Sequence, residues 1–153
     1  MKSKAKLYTF KGPIRWAKVF DENKETRDWQ GEPHAFGGLF KVDMILDKEQ
    51  RKVLKESGSA IKGRFDDDGN FIATFKRKEI GPFKEAGGAP KVVKADGTVW
   101  SYDEDGTIGN DSIGEVTFEV YPTKMAPGTR LISLKVVEHK PYVRPEEIEE
   151  DAA

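Results

Sequence analysis

Gly37-Gly38-Leu39-Phe40-Lys41-Val42-Asp43-Met44-Ile45-Leu46 is the stretch that decides how this chain folds. Successive strand residues point to opposite faces, so Phe40, Val42, Met44 and Leu46 form one wholly apolar face. Leu39, Lys41, Asp43 and Ile45 form a mixed one. The stretch therefore reads as a strand with a core side and a working side. The two glycines ahead of it lack a Cβ and permit a tight bend. The strand stops at Asp47, which opens a helix ending near Gly58. Asp47 is its N-cap, Gln50 stands in the capping-box position, and Val53 and Leu54 turn inward.

Upstream, Leu7 to Asp21 reads as a first strand interrupted at Gly12-Pro13, which suits an edge position or a bulge. After the interruption, Ala17 and Val19 share one face, and Trp16, Lys18 and Phe20 the other. Placing the small apolar pair inside leaves an aromatic-cation-aromatic row outside; the reverse placement buries Trp16 and Phe20. Asp21 to Pro33 is a long polar loop whose sole large apolar group is Trp29, either a clamp onto the body or a ligand contact.

Downstream, Phe65 to Phe71 is an acidic turn, and Phe71 to Lys78 a strand with Phe71, Ala73 and Phe75 inside and Thr74, Lys76 and Lys78 outside. Pro90 to Lys94 and Thr98 to Tyr102 flank Ala95-Asp96-Gly97 as a small hairpin. Val116 to Tyr121 alternates cleanly, Pro122 to Gly128 turns, and Arg130 to Val137 makes the last strand with Ile132, Leu134 and Val136 as its inner set. No internal repeat is visible.

A chain of 153 residues suits one domain with one core. No apolar run approaches the roughly 18 residues that span a bilayer, and the Lys-rich start is not followed by a signal-like apolar segment, so a soluble protein is expected. The absence of cysteine excludes disulfides, thiolate metal sites and cysteine nucleophiles. His34 and His139 are far apart in sequence, which disfavours a His-rich metal centre. The net charge of −1 hides a segregation. All 26 Lys and Arg lie at or before Arg144, against 22 of the 27 acids, so the body carries +4 and the end −5. An acidic tail without aromatics is expected to stay solvated and disordered.

The acidic clusters Asp66-Asp67-Asp68-Gly69-Asn70 and Asp103-Glu104-Asp105-Gly106 lack the ligand spacing of an EF-hand and fit turns. Gly87-Gly88 with Pro90 lacks the Lys-Ser or Lys-Thr and the helix of a phosphate loop. The stronger constellation is distributed. Lys41, Lys76 and Lys78, with Trp16 and Lys18 of the first strand, converge on one sheet face if their strands are neighbours. Cations that track phosphates and rings that stack on any base are what single-stranded nucleic acid requires. A solvated lysine face over core aromatics is the competing reading.

Gly38 to Leu46 followed by Asp47-Lys48, then Pro90-Lys91-Val92-Val93-Lys94-Ala95-Asp96-Gly97, then Ile108-Gly109-Asn110-Asp111-Ser112 leading into Val116 to Pro122, together resemble the OB-fold single-stranded DNA-binding proteins of bacteriophages. The acidic end is similar too. The resemblance implies a protein that coats single strands during replication and recombination in the cytoplasm of the infected bacterial host. It implies a tail that contacts replication or recombination proteins or competes with DNA. Two departures stand out: Asp111 occupies the place of the second glycine in the family's Ile-Gly-x-Gly-Ser turn, and the end Asp151-Ala152-Ala153 lacks a terminal aromatic.

The resulting expectation is a mainly β, five-stranded OB-fold barrel over residues 1–143. It carries one inserted helix, a small extra hairpin and a disordered acidic tail over 144–153. Phosphate contacts are expected from Lys18, Lys41, Lys76, Arg77, Lys78, Lys124 and Arg130, and stacking from Trp16, Phe20 and Trp29. OB-folds bind with their second and third strands and with the loops mapped here to Asp21–Gly38 and Pro122–Arg130. No catalysis, metal, cofactor or membrane is expected, and the oligomeric state is open, a homodimer included. The rivals are a structural phage β-barrel whose aromatic face meets a protein partner, and a carboxylate-dependent hydrolase.

Overall fold

In the computed structural model, which describes residues 5–141, the quoted stretch is strand β2, Leu39–Leu46. Phe40, Val42, Met44 and Leu46 are buried as expected. Gly37 has φ +82°, left-handed backbone that only glycine adopts freely, and makes the bend into the strand. Helix α1, Lys48–Glu56, follows directly. Its capping box is complete: the Gln50 N–H donates to Asp47 Oδ1 (2.8 Å) and the Asp47 N–H to Gln50 Oε1 (3.0 Å). Leu54 is buried against the core, but Val53, expected inward, faces solvent. A short helix buries a stripe one residue wide, and the next residue in sequence lies about 100° round it.

The remaining elements are β1 (Lys6–Lys18), β3 (Arg64–Phe65), β4 (Phe71–Lys78), a 3-10 turn (Lys84–Ala86), β5 (Lys91–Lys94), α2 (Tyr102–Asp105), β6 (Ser112–Tyr121) and β7 (Gly128–Glu138). The strands make one seven-stranded sheet in the order β3-β4-β2-β1-β6-β7-β5. Every pair is antiparallel except β5 with β7. The sheet curls until β4 packs against β7, yet no ladder joins them. The architecture is mainly β and OB-like, but the expected five-stranded closed barrel is replaced by seven strands with an open seam.

Both extra strands come from turns that the sequence reading placed correctly. Arg64 and Phe65 pair with Ile72 and Phe71 around the Asp66 turn. β5 lies parallel to β7, whereas its expected hairpin partner survives as a single bridge between Val93 and Val99, with bonds from the Lys94 N–H to the Thr98 carbonyl and from the Trp100 N–H to the Val92 carbonyl. That limb cannot extend, because Ser101 caps α2 immediately after it.

β1 is a central strand, not an edge. Lys6 to Ile14 pair with β6 and Ile14 to Lys18 with β2, so Gly12-Pro13 falls where the strand changes partner. The bulge lies further on, between Arg15 and Lys18. β1 then ends, and the alternation of faces ends with it: Val19 and Phe20 are both buried. Phe20 packs on Trp100 (ring centroids 6.5 Å) and Tyr102 (5.3 Å), which corrects its placement on an outer row with Trp16 and Lys18. In β7 a bulge opposite Thr117 and Phe118 turns Ile132 out of the inner set and puts Leu131 in, alongside Leu134 and Val136. Phe10, Phe75 and Phe118 meet at the centre of the core, Phe75 and Phe118 at 4.7 Å.

The seam between β4 and β7 is held by Arg77. Paired with Phe40 across the ladder, it points into the core and is buried. Its guanidinium donates to the carbonyls of Gly88 (2.9 Å), Leu131 (3.2 Å), Glu85 (2.9 Å) and Gly87 (2.8 Å). Burial first, and the neighbouring Arg130 charge second, lower its pKa from the ordinary arginine value. Arg77 is therefore a structural tie between β4, β7 and the 3-10 turn, and not a phosphate contact.

Candidate nucleic-acid interface

The outer face of β1, β2 and β4 carries the candidate site. Lys18 stands opposite Lys41, and Lys41 opposite Lys76, so three lysines form one row across three adjacent strands. Like charges directly opposite one another destabilise a sheet. The next row is Arg15, Asp43 and Thr74; Asp43 accepts from Thr74 Oγ1 (2.6 Å) and Arg64 Nη2 (2.8 Å). The charges of that row are matched, Asp43 by Arg64 and Arg15 by Asp66 and Asp111. Among the described residues those of the lysine row are not, save by one carboxylate brought from outside the sheet.

That carboxylate is Glu25, on the loop joining β1 to β2. The loop folds back along β2, where the Glu25 N–H donates to the Leu39 carbonyl (2.9 Å) and the Leu39 N–H to the Glu25 carbonyl (2.7 Å). Glu25 Oε1 then accepts from Lys41 Nζ (2.8 Å), while Oε2 lies 2.9 Å from His34 Nε2. The Lys41 hydrogen bond is the main reason that the Glu25 carboxyl titrates below its ordinary range; partial burial opposes the shift and His34 adds to it.

Trp16 borders the lysine row from the β1 bulge. Its φ of +52° is left-handed, an outlier for a bulky side chain, and such strain costs on the order of 1–3 kcal/mol. The neighbouring turn holds it there. The Trp16 N–H donates to Asn110 Oδ1 (2.9 Å), the Asp111 N–H to the Ile14 carbonyl (2.8 Å), and Arg15 Nε to Asp111 Oδ1 (2.9 Å). Asp111 has φ +69°, the conformation a glycine would take without strain, at the position where the sequence departs from Ile-Gly-x-Gly-Ser. The result is an indole 62% exposed beside Lys18, Lys41, Thr74 and Lys76.

Beside the lysine row lies an open cleft of about 1000 Å³. Lys41, Lys76 and Lys78 line it, with the loop on one side and Tyr121, Thr129 and Arg130 on the other. Trp29 sits at the rim, 91% exposed, on a turn fixed by Asp28 Oδ1, which accepts from the N–H groups of Gln30 (2.9 Å) and Glu32 (3.0 Å). It is presented outward and does not clamp the loop. Phe36 stacks on His34 (4.7 Å, 18°) with Lys78 Nζ 5.1 Å from its centroid.

Of the expected contacts, Trp16, Lys18, Trp29, Lys41, Lys76 and Lys78 are gathered on this face. Phe20 and Arg77 are in the core. Arg130 is buried and ion-paired with Glu119, its guanidinium 4.2 Å from the Tyr121 centroid, so it shapes the cleft wall with its charge already matched. Lys124 is exposed on the β6–β7 loop, apart from the cleft lining. The sequence reading missed Phe36 and Tyr121. Tyr121 was within reach, since the alternation of β6 puts it opposite the buried Val120.

No protein-family model and no curated protein sequence matches the chain. In fold it is similar to three solved structures of the single-stranded DNA-binding protein from bacteriophage Enc34, each 10% identical in sequence. The complex with single-stranded DNA superposes with a TM-score of 0.56 over 89% of each chain. A C-terminal truncation gives 0.54 over 90% of this chain and 88% of that one. A third structure gives 0.50 over 94% and 89%. At this identity the likeness is one of fold.

Proposed function

We propose that this chain binds single-stranded DNA without sequence preference across the outer face of β1, β2 and β4, and coats it during phage replication and recombination in the host cytoplasm. The observation that carries the reading is the row Lys18–Lys41–Lys76 beside a strained, exposed Trp16. Both features cost stability, and both are offset by a strand: phosphates neutralise the row, and a base stacks on the indole. The same fold in a protein solved with single-stranded DNA supports it. The chain acts as a binder and needs no catalytic group.

Intrinsic fluorescence provides the test, because Trp16 and Trp29 are exposed while Trp100 is buried. Titration with single strands should quench the signal at concentrations where duplex DNA does not. The association constant should fall with salt at a log-log slope of about −0.7 per phosphate neutralised. Duplex binding of equal strength, or no strand binding at all, overturns the proposal; salt-insensitive capture of a protein by the aromatic face would favour a structural virion component.

The acidic end, residues 144–153, lies outside the described residues. On charge alone, Glu146, Glu147, Glu149, Glu150 and Asp151 compete with phosphates for the lysine row or engage replication proteins. Removing Glu146 to Ala153 should tighten strand binding at low salt, with a gain that shrinks as salt rises. Unchanged binding at low salt would sink the competitive role.

A further inference from the structure

We propose that the cationic face of α1, together with Lys62 and the ring of Phe65, is a second contact surface for the same single strand, which it takes up where the strand leaves the sheet face at Lys76. This rests on the single-strand reading above and extends it to a part of the molecule that neither the row nor the cleft includes. Lys48, Arg51, Lys52 and Lys55 recur at helical three- and four-residue spacing and share one side of α1. With Lys62 they surround a hollow of about 510 Å³ based on Leu54 and Phe71. Among the described residues, none of these five cations has a carboxylate partner within 4 Å. Glu49 and Glu56 of the same helix leave them unpaired. On the sheet face, by contrast, Lys41 and Arg64 each have one and Arg15 has two.

The patch has an aromatic platform of its own. The Arg51 guanidinium lies over the rings of Phe71 (4.6 Å) and Phe65 (5.1 Å), and the two rings meet edge to face at 5.4 Å. Phe65 is 61% exposed. Asp66 fixes the turn beside it by accepting from the N–H groups of Asp68 (3.0 Å) and Asn70 (2.8 Å). Cations around an exposed ring repeat the chemistry of the sheet face.

The two surfaces are continuous. The hollow on α1 shares Ile61 and Lys62 with a neighbouring one of about 390 Å³, which in turn shares Arg64, Thr74 and Lys76 with the hollow beside Trp16. A strand lying on the lysine row thus reaches α1 along shared lining residues whose cations are Lys76, Arg64 and Lys62, and the one acid beside that path, Asp43, is already paired with Arg64.

The test compares oligothymidylates of about 6 and about 16 nucleotides, the lower and upper parts of the range one OB-fold covers. Binding is measured against salt for the wild type, for Lys48→Ala/Lys52→Ala/Lys55→Ala, and for Phe65→Ala. The three lysines are exposed and alanine favours helix, so the triple variant should keep its fold, which circular dichroism checks. The wild type should bind the long strand more tightly and with a steeper slope than the short one. In the triple variant the long-strand slope should become shallower by about 2 units, with affinity at low salt lowered about ten-fold or more. Short-strand binding should not change. Phe65→Ala should weaken long-strand binding alone. Equal behaviour of wild type and triple variant on the long strand overturns the proposal, as does an equal loss on both lengths. So does a variant that loses binding to polyglutamate while keeping the strand, which would mark an acidic protein as the occupant. A wild type that binds neither length overturns the single-strand reading itself.

Discussion

At the scale of single residues, the proposed function and stability pull in opposite directions on the outer face. Trp16 is held at φ +52° by Asn110 and by the Asp111 turn, so replacing it separates the two. Trp16→Gly relieves the backbone strain and removes a largely exposed ring. Its unfolding free energy should match the wild type or exceed it by about 1 kcal/mol, while single-strand affinity falls about ten-fold or more, the weight of one base–aromatic stack. Urea unfolding and a strand titration on the same sample decide it; a destabilised glycine variant would mean that the indole is a packing residue. Lys41 and Glu25 form a second such pair. Lys41→Ala and Lys76→Ala should each lower affinity for all sequences alike and flatten the salt slope by a little under one unit. Glu25→Gln should do the reverse, tightening binding several-fold, because it withdraws the carboxylate that, among the described residues, is paired with Lys41 Nζ. Weaker binding by the glutamine variant would show that Glu25 positions Lys41 for the strand and does not mask it.

At the scale of elements, what was legible in the sequence was whatever a period of two or a cap dictates. β2, β4 and β6 alternate as read, α1 starts at its capping box, and the register then brings Lys18, Lys41 and Lys76 together because their strands are neighbours. The misreadings share one cause, a break in periodicity that no local pattern announces. The bulge at Ile132 moves Leu131 inward, the end of β1 lets Phe20 drop into the core, and the β1–β2 loop supplies Glu25, His34 and Phe36 by folding back over β2. Arg77 deceived for a different reason: it follows Lys76 in a cationic run, but alternation alone sends it inside, where the open seam gives a guanidinium four carbonyls to bind. Hydrogen bonds to a buried charge are worth about 1.5–3 kcal/mol each way of counting, and stripping the donor leaves carbonyls unsatisfied. Arg77→Met should therefore destabilise the fold by about 3 kcal/mol or more. At temperatures where that variant remains folded, it should keep the wild-type salt slope for strand binding. A stable variant with a shallower slope would return Arg77 to the phosphate track.

At the scale of the whole molecule, acids and bases are distributed so that folding and binding respond to acid with opposite signs. Glu25, Glu79, Asp96 and Asp105 all titrate below their ordinary ranges, chiefly through hydrogen bonds from Lys41, Lys24, the Thr98 N–H and the Ser101 N–H respectively. A carboxyl whose folded pKa is depressed stabilises the fold fully above its unfolded value, and that contribution is lost as pH falls through the folded value. The urea midpoint should therefore hold steady from pH 7 to about 5 and drop below about 4.5, where unfolded carboxylates begin to bind protons. Binding should move the other way. Phosphodiesters keep their charge in this window, and protonating Glu25 removes the carboxylate that faces Lys41 and His34, so the protein still folded should hold oligothymidylate more tightly as the pH falls from 6 towards 4. Part of that gain is general, since every carboxylate neutralised makes the body more cationic. Glu25→Gln isolates the local part: it should start from the higher affinity at pH 6 and rise less on acidification than the wild type. Parallel pH profiles for the two proteins would assign the whole rise to net charge and leave the Glu25–Lys41 pair without a role in binding.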